Sequence, residues 1–182
     1  MKKFQSILSF LFVFLISIAC EPNNPFGGPV YDVEGNLEKD RIIIDEFLAT
    51  AQIDSIYRYH DPTGVVVIVQ EEGAEDRPVP GNLIYTNYIG SLLDGSVFDT
   101  NIEEVAKENN IFVESRNYRL FQFTLGSSEA ISGFNYGFRN LKSGSKAILI
   151  IPSPWAYRDS ETNERIPPNS VLMFEVDFRG ME

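Results

Sequence analysis

Two stretches of the chain alternate strictly between apolar residues and their neighbours, and that alternation limits what the chain can fold into. Phe121, Phe123 and Leu125 take every second position, as do Leu172, Phe174, Val176 and Phe178. Successive side chains of an extended strand point to opposite faces, so each stretch predicts a strand with one apolar face. Residues 65–70 (VVVIVQ) are a β-branched run, residues 83–89 read as another strand, and residues 147–151 are apolar throughout. Asp94-Gly95 is a hairpin signal, and Pro78 and Pro80 block regular structure in the acidic stretch before it. Between Ser128 and Leu141 the period changes. Ile131, Phe134, Phe138 and Leu141 suit one short helix laid against a sheet. The pattern as a whole predicts an α+β domain: an antiparallel twisted sheet of about five strands with this helix on its concave face.

Ahead of the strands, Ile44, Phe47, Leu48 and Ala51 fall at i, i+3, i+4 and i+7 with charges opposite, which predicts a helix over 37–52. Two uses of that helix stay open, packing on the domain that follows and dimerisation. The expected organisation is an N-terminal helical segment over 37–62 and a domain over 63–182. His60, in the connection YRYHDPTG, reads as a solvated loop residue.

The first residues are an address. Lys2 and Lys3 precede an apolar run from Ile7 to Ala19 that ends at Cys20. The run is shorter than the roughly 20 apolar residues of a membrane span, so residues 1–19 read as a signal peptide. Ala19 before Cys20 resembles the lipobox of bacterial lipoproteins, with Ser17 standing where that motif has Leu. The resemblance implies lipidation of Cys20 and attachment to the membrane of a bacterial cell envelope, with the outer membrane facing the periplasm as the expected site. Residues 20–36, rich in Pro, Gly and Asn, read as a flexible tether.

Composition removes most catalytic chemistries. One Cys and one His in 182 residues exclude a disulfide framework, a Cys- or multi-His metal site and leave little room for a histidine-based triad. A formal charge of −11 makes the chain a poor partner for nucleic acid. No metal or cofactor is expected. The aromatics Tyr88, Phe98, Phe121, Phe123, Phe134, Tyr157 and Phe174 come from separate strands and loops, and they suit either a core or a lined cavity.

Four blocks in order, NYIGSLLDGSVFDT, FQFTLGSSEAISGF, LKSGSKAILIIPSPWAY and RIPPNSVLMFEVDF, resemble the FKBP family of peptidyl-prolyl isomerases over about residues 81–181. The resemblance implies an FKBP-like sheet wrapped on one short helix, and a pocket that isomerises X-Pro bonds. In that frame Asp99, Tyr157, Ile131 and Tyr88 are the catalytic candidates. Tyr157 O–H and the Ile131 backbone N–H would hold peptide carbonyls, and Asp99 with Tyr88 would form the polar side. Phe98, Phe121, Ala130, Phe134, Ile166 and Phe174 match the substrate-binding walls, with Phe134 in place of the family's tryptophan floor. Arg158 stands where the family has glycine, Arg165 where an apolar residue often lies, and the stretch between Asp99 and Phe121 is about a dozen residues longer than in compact members. Its Glu103, Glu104, Lys107 and Glu108 predict a short exposed helix. The implied partners are proline-containing polypeptides of exported proteins, the membrane through Cys20, and macrolide inhibitors as candidate ligands. The rival reading is a binding or chaperone module of the same fold without turnover.

Overall fold

In a computed structural model, which describes residues 30–161 and 164–182, the extended segments form seven strands. They are β1 (Tyr57–His60), β2 (Val66–Glu71), β3 (Leu83–Leu92), β4 (Val97–Thr100), β5 (Phe121–Thr124), β6 (Lys146–Ile151) and β7 (Leu172–Met181). The helices are α1 (Val33–Thr50), α2 (Glu103–Glu108) and α3 (Ser132–Phe138), with a 3-10 turn at Ser153–Trp155. The strands pair antiparallel in the order β1-β2-β6-β7-β3-β4, and β5 also pairs with β3. The α+β class and the sheet-on-helix arrangement are those expected; the sheet has seven strands rather than about five. The two extra strands, β1 and β4, are four residues each.

Strand β3 organises the sheet. One edge runs along β7, while the other is shared, Leu83–Thr86 with β5 and Ile89–Ser91 with β4. The buried Asn101 stands where the chain leaves the sheet. Its side-chain oxygen accepts the Tyr88 N–H (2.7 Å), and its amide donates to Asn87 Oδ1 (2.9 Å) and to the Arg119 carbonyl (3.0 Å). Side-chain bonds thus replace the strand pairing that the long β4–β5 connection interrupts. Within that connection α2 forms where the charged run predicts it, with a Lys107–Glu103 pair at 2.5 Å one turn apart.

The runs in β2 and β6 are apolar throughout because both faces of the sheet are covered there. Val65, Val67, Val69, Ala147, Leu149 and Ile151 face α3. Val66, Ile68, Ile148 and Ile150 join Ile44, Phe47 and Leu48 of α1 on the opposite side. The N-terminal helix therefore packs on its own domain. It starts earlier than the periodicity indicates, at Val33, because the Asp32 carboxylate accepts the Gly35 N–H (2.9 Å) as an N-cap. Residues 33–36 of the expected tether are helical. The helix ends at Thr50, and residues 57–60 are strand β1, so 37–62 is not one helical segment. His60 is exposed, as expected, but on a strand rather than in a loop. The signal peptide, Cys20 and the tether up to residue 29 lie outside the described residues.

Helix α3 lies very close to β6. A Cβ at Gly133 would collide with the Ile151 side chain, and one at Gly137 would come within 2.7 Å of Leu149 Cδ1. Two glycines on one face let the helix sink onto the sheet, which carries Phe134 and Phe138 into the core at 3% and 0% exposure. Past the helix, Arg139 places one guanidinium nitrogen 2.8 Å from each oxygen of the buried Asp61, and Asn140 adds a bond at 3.0 Å. Burial alone would raise the Asp61 pKa; the bonds from Arg139, Thr63 and Asn140 outweigh it and hold the pKa below its ordinary value.

Two outcomes are expected in equilibrium urea unfolding. Gly133→Ala lowers stability by roughly 1–3 kcal/mol through overpacking against Ile151. A lowered native pKa means that the Asp61 contribution is fully present above the unfolded-state value of about 4 and disappears as pH falls through the native value. Asp61→Asn therefore flattens the acid limb of the stability–pH curve; an unchanged limb would contradict the assignment.

Candidate active site

The N-terminus of α3, the inner face of β3 and β7, the first residue of β5 and the segment after the 3-10 turn converge on one cavity of about 390 Å³. Its walls are Tyr88, Asp99, Phe121, Ser128, Glu129, Ala130, Ile131, Phe134, Tyr157 and Phe174. Phe134 is the hub. Its ring lies 4.8 Å from Phe174, 6.1 Å from Tyr88 and 6.1 Å from Phe121, each near-perpendicular, so edges meet faces. Gly90 leaves room for this packing: a Cβ there would lie 2.7 Å from Phe174 and 2.8 Å from Phe98. A slightly larger cavity of about 420 Å³ lies between α1 and the β1–β2 connection, but it gathers none of the expected site residues.

Eight of the ten candidate side chains share this pocket. The other two stand behind it. Phe98, 5% exposed, packs edge-on against Phe174 at 5.6 Å, and Ile166, 3% exposed, belongs to the core. Both support the wall without lining it, a correction to their placement as contact residues. An apolar residue in an inward register is equally compatible with either depth. The exposed Arg165 precedes Ile166 and does not line the cavity.

The polar side is a closed network. Tyr88 O–H donates to Asp99 Oδ2 at 2.5 Å. Arg116 pairs with Asp99 Oδ1 through Nη1 and donates to the Tyr88 hydroxyl oxygen at 3.1 Å through Nη2. Burial and the Asp99 carboxylate push the Tyr88 pKa well above its usual value, so its proton stays on the oxygen and committed to Asp99. Asp99 in turn has both oxygens engaged, which suits a fixed electrostatic element rather than a proton acceptor. Arg116 comes from the long β4–β5 connection and sequence spacing gives no hint of it. None of residues 101–120 lines the pocket, and the insertion reaches the site through the Arg116 bonds to Asp99 and Tyr88.

Two donors are left over. Tyr157 lines the cavity while staying 41% exposed, with no protein acceptor for its hydroxyl among the described residues; partial desolvation and the nearby Asp99 charge raise its pKa and keep it protonated. The Ile131 N–H, just before α3, likewise meets no acceptor among the described residues. Ser128 and Glu129 complete the rim. Glu129 accepts the Thr124 N–H at 2.7 Å and the Ser127 hydroxyl at 3.1 Å, which holds its pKa below the ordinary value and ties down the β5–α3 loop. Sequence reasoning missed both rim residues because their role is local loop geometry.

The family model described as FKBP-type peptidyl-prolyl cis-trans isomerase matches residues 74–179, more than half of the chain. The chain belongs to this family. FK506-binding protein 1 of Debaryomyces hansenii is 34% identical over 116 residues, covering 64% of this chain and 92% of that protein. The probable FKBP-type isomerase FkpA of Neisseria meningitidis is 28% identical over 145 residues, 80% of this chain and 46% of that protein. The crystal structure of FkpA from Escherichia coli superimposes with a TM-score of 0.60 at 27% identity, covering 81% of this chain and 60% of the other. Some relatives are much longer: the chain spans 24% of the human FKBP it matches. The enzyme class of the family is peptidyl-prolyl cis-trans isomerase, as the four sequence blocks imply.

Set in the FKBP frame, the replacement of glycine by Arg158 has a visible consequence. Arg158 holds φ at +57°, the left-handed region that glycine enters freely and other residues rarely do. The backbone shape is kept with a side chain that has to be held in place. For the polar network, Arg116→Ala should lower kcat/KM on an X-Pro peptide by roughly threefold to tenfold, the modest size reflecting a half-exposed ion pair. Unaltered kinetics would show that Asp99 and Tyr88 hold their positions without it.

Proposed function

We propose that this pocket isomerises X-Pro bonds in exported polypeptides, and that the observation carrying the reading is its pair of unpartnered donors. An otherwise aromatic cavity offers the Tyr157 hydroxyl and the Ile131 N–H, neither of which meets an acceptor among the described residues. A peptide whose proline ring sits against Phe121, Phe134 and Phe174 would present its carbonyl oxygens to these groups.

The chemistry needs no nucleophile. Rotation about a peptide bond faces a barrier of roughly 18–20 kcal/mol because the C–N bond is partly double. The double-bond character rests on charge separation, with negative charge on oxygen, which water stabilises. Dry aromatic walls stabilise it less than they stabilise a twisted amide, whose resonance is lost. Complementarity to the twisted form thus lowers the barrier. Proline is the suitable target because its cis and trans forms differ by only about 0.5–1 kcal/mol. Asp99, held by Tyr88 and Arg116, sets the field on the polar side, and Tyr88 forms a wall.

The cellular setting follows from the N-terminal sequence. Cleavage before Cys20 and lipidation there would leave the enzyme on the cell envelope, on the outer membrane facing the periplasm, among newly exported chains. Macrolides of the kind named in the Debaryomyces relative would compete for the same aromatic walls.

The test is the cis-to-trans rate of a short X-Pro peptide. Tyr157→Phe removes one hydrogen bond and should lower kcat/KM about threefold to tenfold. Phe174→Leu keeps an apolar residue in the core, should cost less stability than truncation to alanine, and should reduce turnover with the far-UV circular dichroism intact. A folded protein that accelerates no peptide in a panel varied before proline would refute the proposed activity.

A further inference from the structure

Tyr157 sits in a loop whose backbone is tied down from outside the pocket. The tie comes from the N-terminal segment on the far side of the sheet. Asp40 of α1 is only 2% exposed, and its Oδ2 accepts both the N–H and the hydroxyl of Ser153 at 2.7 Å. Ser153 opens the 3-10 turn, and its carbonyl accepts the Ala156 and Arg158 N–H groups at 3.1 Å, the two residues flanking Tyr157. Tyr31, just ahead of α1, places its hydroxyl 3.2 Å from the Ser153 hydroxyl and 3.0 Å from Asn169 Oδ1. Asn169 in turn donates its N–H to the Arg158 carbonyl at 2.6 Å. The Arg158 guanidinium lies over the Tyr31 ring at 5.6 Å.

A buried carboxylate and a tyrosine of the N-terminal segment therefore grip both sides of the loop that presents the Tyr157 hydroxyl. Arg158 is left-handed, a conformation that an L side chain keeps only where its surroundings hold it. Preorganised donors act because they need no rearrangement as the transition state forms.

We infer that Asp40 and Tyr31 are positioning residues for Tyr157, so that the N-terminal segment is a working part of the active site. Neither residue lines the pocket. The inference rests on the isomerase reading above, in which Tyr157 donates to a substrate carbonyl.

A double-mutant cycle on the full chain separates positioning from general support of the fold. Tyr31→Phe removes one hydroxyl and Asp40→Ala removes the anchor of Ser153. Each should lower kcat/KM on an X-Pro peptide about threefold or more, and in a Tyr157→Phe background each should lower it no further. Multiplicative losses in the double variants, or single variants with native rates, would overturn the inference. If Asp40→Ala fails to fold, Tyr31→Phe carries the test. A second readout does not depend on turnover: the 19F resonance of Tyr157 in fluorotyrosine-labelled protein should move in Tyr31→Phe. An inactive parent whose Tyr157 resonance still moves refutes the isomerase reading while supporting the tie; an active parent with an unmoved resonance refutes the tie alone.

Discussion

The close approach of α3 to β6 is the constraint on which the rest of the domain depends. Because Gly133 and Gly137 carry no side chain toward Ile151 and Leu149, the helix sinks onto the concave face. Phe134 then reaches the centre of a ring cluster and becomes the floor of the pocket. The N-terminal end of the same helix brings the Ile131 N–H to the rim. A bulkier residue at either glycine would lift the helix, and both the floor and the rim donor would move with it.

Around this floor the site divides into groups already satisfied and groups left open. Tyr88, Asp99 and Arg116 satisfy one another, so their charge and orientation are settled before any ligand arrives. Tyr157 and Ile131, on the same pocket, meet no acceptor among the described residues. The contrast is what suits the cavity to hold an amide rather than to transfer a proton. The sheet that carries these residues is covered on its other face by α1, whose Ile44 seals the convex side. The same helix supplies Asp40 to the loop of Tyr157, so one short segment serves both packing and site geometry.

Much of the fold was legible in the chain. The two-residue period of β5 and β7 reflects one covered and one uncovered face, and the unbroken apolar runs of β2 and β6 reflect cover on both. Strand β1 was not legible because it is four mostly exposed residues whose extended form comes from pairing with β2. The early start of α1 depended on Asp32 turning back to cap it, a matter of local geometry rather than periodicity. Among site residues, Phe98 and Ile166 share the apolar character of the walls, and only packing shows that they lie behind them. Arg116 was invisible because nothing in the chain between them relates it to Asp99, 17 positions earlier.

By itself the sequence determined the class of fold, the family, the aromatic character of the pocket and the chemistry left to a chain with one Cys and one His. Those properties follow from periodicity, residue type and the order of motifs, which do not depend on distance through space. The tertiary structure decided which aromatics touch the cavity, which hydroxyl is spent and which is free, and how Arg116 and the N-terminal segment reach the site. These are matters of hydrogen-bond partner and depth, settled only when segments far apart in the chain compete for the same few ångströms.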